Sequence, residues 1–337
     1  MPAIARPTGR HTQRPMDTSL SPESLKERIA RWAPSFSRSG LPEVHTDATD
    51  FFKVDYGDVL ILDGTPYLIR QNAKEGRFGL DDEEKFWVKR AIDLDTGERK
   101  IIKLVFYERF TAHVGGIAFD CFRSPKKEAR ILSLVKGHPN FMQGFSATDA
   151  AGNIIRVVHV IVGPTLPAMV ENLPEAHERY FYEHLPHILD RFIECIGAIR
   201  FLHDHGEKHG DIRRDHIFVD RDTSVYRWID FDFNYRHREN IYGYDLFGLG
   251  NILIYLVGKG DLLLHDLQNR HPAFDRLTDD DRNIIFHNRL ANLKKIYPYI
   301  PEKLNRVLLH FSKGANWFYE HTSQLLEDIG AVRTDVG

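Results

Sequence analysis

Residues 208–233 read KHGDIRRDHIFVDRDTSVYRWIDFDF, with six aspartates and two histidines among short apolar runs. Asp211 stands before one such run and Asp230 closes the next. A carboxylate beside buried apolar residues is costly without a partner. These acids therefore either serve a metal and a reacting group or cap the turns between strands. A second pair lies upstream. In RKIIKLVF, strand alternation puts Lys103 on the face of Ile101 and Val105. Glu128 precedes Ile131, Leu132 and Val135 at i+3, i+4 and i+7, which places it on the inward stripe of a helix. Two inward charges of opposite sign favour one another. Taken singly, a lysine snorkelling to a strand edge and a glutamate favoured by a helix N-terminus account for them equally well.

The elements that must position these groups can be read from turn signals and periodicity. The runs DVLILD, PYLIRQ, KFWVKRAIDL and KIIKLVF are strand-like and are separated by Asp63-Gly64 and Asp95-Thr96-Gly97. SPKKEARILSLVKG predicts a helix with Ser124 as N-cap, Pro125 in the first turn and Gly137 as its stop. A short helix is expected at PESLKERIARW and more strand over 141–162. Beyond "VGPTL" the pattern turns helical. RYFYEHLPHILDRFIECIGAIRFLHDHG reads as one long helical segment, and DLFGLGNILIYLVG and PEKLNRVLLHF as further helices. The expected division is a partly disordered extension over 1–50, a strand-rich part over 51–162 and a helical part over 163–332. The formal net charge of −3 argues against a nucleic-acid partner. Two cysteines in 337 residues suit a reducing cytoplasm. No apolar run reaches the roughly 18 residues that would cross a membrane.

A strand lysine, a helix glutamate, "GHPNF", a connector, a long helix, "FLHDHGEKHGD", two short strands and "IDFD" follow one another in the running order of the protein kinase-like superfamily, which residues 65–330 resemble. The resemblance is to bacterial Ser/Thr-kinase-like proteins, with a His-Gly-Asp catalytic loop of the aminoglycoside-phosphotransferase style and a shortened activation segment. It implies an α+β, bilobal fold with a strand-rich N-lobe and a helical C-lobe, ATP and magnesium as cofactors, and a protein or small-molecule hydroxyl as acceptor. It further implies Lys103 on the nucleotide phosphates with Glu128 as its partner, and Asp211 as the aspartate that orients and deprotonates the acceptor. Arg213 would supply charge to the transferred phosphoryl. Asp230 falls at the magnesium aspartate. Gly76 and Gly79 remain of the glycine-rich loop in "KEGRFG", and Val160 and Val162 in the connector complete the nucleotide-binding set.

The departures from that pattern matter as much. Lys74 stands where the first loop glycine belongs, and an acidic run from Asp81 to Glu84 follows the loop. His216 occupies the position of the second metal-binding asparagine, although magnesium prefers oxygen. Asp232 replaces the glycine of the metal motif and either supplies that oxygen or forms a strand-end turn. Only 14 residues separate Asp230 from Asp245, which resembles the buried aspartate that opens the large C-terminal helix. Three parts tied to an activation segment are absent together: an A-P-E motif, the late arginine near Phe318, and the arginine replaced by Gly210. A nucleotide-binding pseudokinase is therefore the alternative to an active phosphotransferase. A zinc hydrolase built on His203, His205, His209 and Asp211 is a third reading.

Overall fold

The computed structural model describes residues 21–36, 42–75, 83–114, 117–237, 241–268 and 271–333. The chain divides into two compact units, Met1–Leu104 with Ala147–Ile155, and Val105–Ser146 with Arg156–Gly337. The fold is α+β, with a strand-rich part followed by a helical part.

In the first unit, α1 (Pro22–Trp32) starts at Ser21, whose Oγ accepts the Ser24 N–H, with proline at the first helical position. Its Leu25 and Ile29 pack on Val59, Leu68 and Ile92 of the sheet and on Leu94 in the turn that follows Asp93. The strands are β1 (Val44–His45), β2 (Val59–Leu62), β3 (Thr65–Glu75), β4 (Glu83–Asp93) and β5 (Arg99–Lys103). β1 pairs with β2 in parallel, and the later neighbours are antiparallel. The expected turns are present. Asp63 and Gly64 both take positive φ between β2 and β3, which matches the twist of a tight hairpin. The Asp93 carboxylate accepts the Asp95 and Thr96 amides before β5. The glycine-loop stretch 76–82, with Gly76, Gly79, Asp81 and Asp82, lies outside the described residues. The full sheet order is β1-β2-β3-β4-β5-β9-β8, where β8 (Gly144–Thr148) and β9 (Ile154–His159) are the strands at which the chain passes between the units.

The second unit opens with a hairpin the sequence reading passed over: β6 (Arg109–Val114) and β7 (Ile117–Arg123). Then α2 (Pro125–Leu134) begins as expected, with Ser124 Oγ accepting the Lys127 amide. "GHPNF" lies against a strand. Asn140 donates from its side chain to the Tyr226 carbonyl, and its own carbonyl accepts the Trp228 amide. The helices α3 (Leu166–Glu171), α4 (His177–Glu183) and α5 (Leu185–Asp204) follow. The segment read as one long helix is thus two, parted at His184. Pro186 has no N–H to continue the ladder, and its ring would strike the carbonyl four residues back. Next come β10 (Ile217–Val219), β11 (Tyr226–Trp228), β12 (Phe233–Arg236), α6 (Gly243–Val257), α7 (Leu264–Leu267), α8 (Glu302–Leu309) and α9 (Thr322–Arg333). The core is the meeting of α5, buried at Leu189, Phe192, Ile196 and Ile199, with α6, buried on nearly every side. Two close approaches fix the site's surroundings. The Trp228 indole donates to the Cys195 carbonyl of α5 at 3.0 Å. A Cβ on Gly248 would lie 2.7 Å from Ile212, so α6 sits directly under the loop that carries Asp211.

Candidate active site

The loop 209–211 is held by Asp245 at the start of α6. Its fully buried carboxylate accepts from the His209 amide at 2.8 Å, the Gly210 amide at 2.9 Å and His203 Nε2 at 3.1 Å. Burial alone would raise the Asp245 carboxyl. The His203 hydrogen bond, the neighbouring histidines and the Gly210 amide outweigh it and hold the group below the usual carboxylate range. Gly210 has φ +89°, and a Cβ there would come 2.0 Å from the Phe233 carbonyl oxygen. The arginine of protein kinases cannot occupy this position while the segment after Asp232 lies so close.

From that loop Asp211 points into a part-buried space, with 15% of its side chain exposed. Burial raises its carboxyl above the ordinary value, against the lowering influence of His216 and Arg213. His216 is buried between the two principal acids. Its Nδ1 lies 2.9 Å from the Asp211 carbonyl, so the proton belongs on Nδ1. Its Nε2 lies 3.8 Å from Asp230. Arg213 spends its fork locally: Nε donates to Asp215 at 3.1 Å and a second N–H reaches the other oxygen.

Asp230 takes φ +62°, a conformation that L-residues adopt seldom and that concentrates at functional sites. Its carboxylate meets those of Glu128 on α2 and Asp232, one oxygen of each lying within 4.8 Å of the others. Glu128 and Asp232 are fully buried. Each has an arginine: Arg156 Nε donates to Glu128 at 3.0 Å, and Arg123 reaches both oxygens of Asp232 at 2.7 and 2.6 Å. The three carboxylates form a buried, all-oxygen cluster, which is the donor chemistry magnesium takes. Of the six aspartates of the opening stretch, Asp211, Asp230 and Asp232 therefore converge. Asp220 caps the β10–β11 turn through the Asp222 and Thr223 amides, and Asp215 serves Arg213.

Lys103 ends β5 and is buried in the first unit. The strand stops there, so the alternation does not carry on to Val105. Val160 is part-buried and Val162 exposed, its carbonyl accepting the Arg221 amide. The histidines of the zinc reading disperse: His203 goes to Asp245, His205 to the Phe201 carbonyl, and His209 inward. Among the described residues they form no metal-ligand group with Asp211. Sequence reasoning missed Arg123 and Arg156. The signal for Arg156 was a lone charge inside the apolar run "IIRVV".

His209 makes one consequence measurable. Burial takes its imidazole down to about 3, so it stays neutral in the fold. The unfolded chain takes up this proton as pH falls through about 6.5, so the stability tied to the neutral ring is complete above that pH and is lost below it, by about 2 kcal/mol at pH 5. Urea midpoints between pH 7.5 and 5 should fall in the wild type and fall less in His209→Asn. Parallel slopes would remove His209 as the cause.

Over 110 residues the chain is 29% identical to "Putative ribosomal protein S6 kinase alpha-2" of Caenorhabditis elegans, a stretch that covers 32% of this chain and 13% of that protein. The similarity suggests a protein kinase relationship. No protein-family model matches the chain. Among the described residues no helix is long and apolar enough to cross a membrane.

Proposed function

We propose that this protein is an ATP- and magnesium-dependent phosphotransferase of the protein kinase-like superfamily, with a hydroxyl of a protein (Ser/Thr) or of a small molecule as acceptor. The observation that carries the reading is the placement of Asp211 and Asp230 on either side of His216, with Asp230 joined by two further buried carboxylates. Magnesium, when bound, would neutralise charge on the phosphate oxygens. Asp230 and Asp232 are its proposed ligands, with Glu128 beside them and His216 Nε2 3.8 Å from Asp230. Asp211 orients the acceptor hydroxyl and takes its proton. The raised carboxyl of Asp211 suits a base better than a fully solvated aspartate would. Arg213, one residue past Ile212, holds positive charge near Asp211. Lys103 is proposed for the phosphates, as the resemblance implies, with Gly76, Gly79, Val160 and Val162 as further nucleotide contacts. The His-Gly-Asp loop and the short segment after Asp232 favour an acceptor unlike the extended peptide of protein kinases, and a cytoplasmic setting fits both cofactors.

A second reading, a nucleotide-binding pseudokinase, is favoured by Lys74 in the glycine loop, by His216 at the asparagine position and by the pairing of Arg213 with Asp215 inside the loop. The first test is thermal unfolding with ATP, with and without magnesium. At a ligand excess of a hundredfold over Kd, stabilisation amounts to about 2.7 kcal/mol. The magnesium-dependent part should vanish in Asp230→Ala and shrink in Asp232→Asn. An identical magnesium response in wild type and Asp230→Ala would end the metal assignment.

A further inference from the structure

The strand β12 follows the Asp230–Asp232 motif directly and is fastened on both edges. One edge pairs with β7, in register from Phe233 opposite Arg123 to Arg236 opposite Asp120. On a strand, residues i and i+2 turn their backbone groups to the same edge, so the carbonyls of Phe233 and Tyr235 share the other one. Two lysines occupy it. Lys127, buried on α2, donates to the Phe233 carbonyl and also to the His209 carbonyl at 2.8 Å and the Phe231 carbonyl at 3.0 Å. Lys208 donates to the Tyr235 carbonyl at 3.1 Å, with its ammonium 4.3 Å from the centre of the Tyr235 ring. A buried ammonium has three protons to place, and Lys127 spends them on three segments: the loop before Asp211, the residue between Asp230 and Asp232, and β12. Aromatic pairs lock the hairpin side, Phe110 on Phe233 and Phe119 on Tyr235.

We infer that Lys127 and Lys208 are positioning residues that keep β12, the strand after the metal motif, permanently ordered, so that the candidate site is assembled without covalent modification of that strand. The inference rests on the phosphotransferase reading for its meaning but not for its measurement. Residues 233–244 contain no serine or threonine. Their three tyrosines are engaged: Tyr235 is buried with its hydroxyl accepting the Asp245 amide at 3.4 Å, Tyr242 stacks on His203 at 3.9 Å and donates to its carbonyl, and Tyr244 packs against Phe119 and Tyr235. An added phosphate would have to break this packing before it could order anything.

Hydrogen exchange of the full chain without ligand tests the idea. In Lys127→Met and Lys208→Met, the amides of 234–236 should exchange about 10–100-fold faster than in wild type, while those of α5 and α6 keep their protection. Should Lys127→Met fail to fold, Lys208→Met carries the comparison through Tyr235. Wild type treated with phosphatase should keep its protection at 234–236. Wild-type exchange at 234–236 in Lys208→Met, or loss of protection after phosphatase, overturns the inference. A wild type that shows this pattern but no response to magnesium and ATP would instead remove the phosphotransferase reading and leave the fastening intact.

Discussion

Asp211→Asn is expected to lower phosphoryl transfer by about 10²–10⁴-fold, the usual contribution of a positioned acid–base group, and to leave nucleotide affinity nearly unchanged. Asparagine keeps the shape of the side chain, and the backbone around it is held from elsewhere, by Asp245 below and by His216 on the Asp211 carbonyl. What is lost is the proton acceptor. The aspartate is well placed for that work, because burial raises its carboxyl and His216 and Arg213 keep it from rising further. Turnover of labelled ATP against a broad set of hydroxyl acceptors, measured beside binding of a non-hydrolysable analogue, separates three outcomes. A fall in turnover with unchanged binding supports the phosphotransferase. Binding without turnover in wild type and variant alike supports the pseudokinase. No binding in the wild type removes both, and the kinase-like fold would then serve as an interaction scaffold.

How much of this was legible in the sequence depended on whether a residue's partner was local. Ser124, Asp63-Gly64 and Asp95-Thr96-Gly97 act on residues within four positions of themselves, and each does in the fold what its type predicts. The break at Pro186 was equally local and was overlooked, because the apolar spacing ran on across it. The β6–β7 hairpin left a readable trace too: Gly115-Gly116 between the alternating runs RFTAHV and IAFDCFR is a hairpin signal. The charge partners were of another kind. Arg123 meets Asp232 across 109 residues and Arg156 meets Glu128 across 28. Neither pairing leaves a periodic trace, since the energy that selects it exists only once both groups are desolvated together. Reading Glu128 by strand and helix periodicity placed it inward correctly and offered Lys103 as its partner. Within its own unit the fold supplies Arg156, whose side chain is fully buried. Lys127 escaped for the same reason. A lysine in a first helical turn looks like a surface residue until three carbonyls from distant segments close around it.

The largest stability effect is expected at Asp245. Asp245→Leu removes the acceptor for two backbone amides and for His203 Nε2, all of them buried donors that water cannot reach. Breaking a buried charged partner typically costs about 3–5 kcal/mol, and the unpaired amides keep the cost at that level because no apolar replacement can satisfy them. Asp245→Asn should cost less, since its remaining oxygen still serves one amide while its NH2 faces another donor. His203→Leu should cost least of the three, because both loop amides keep their carboxylate. Urea unfolding of the three variants reads this order directly. The order also separates two roles for the carboxylate. If it mattered chiefly as the counterion of His203, the histidine variant would lose as much as Asp245→Leu. If it matters as the anchor of the 209–211 loop, the two aspartate variants alone should suffer heavily, and Asp245→Asn, where it folds, should lose turnover through a displaced Asp211 while its nucleotide affinity holds. A midpoint for Asp245→Leu within about 1 kcal/mol of wild type, a loss typical of an ordinary substitution, would show that the loop is held by other contacts and that Asp245 is not its anchor.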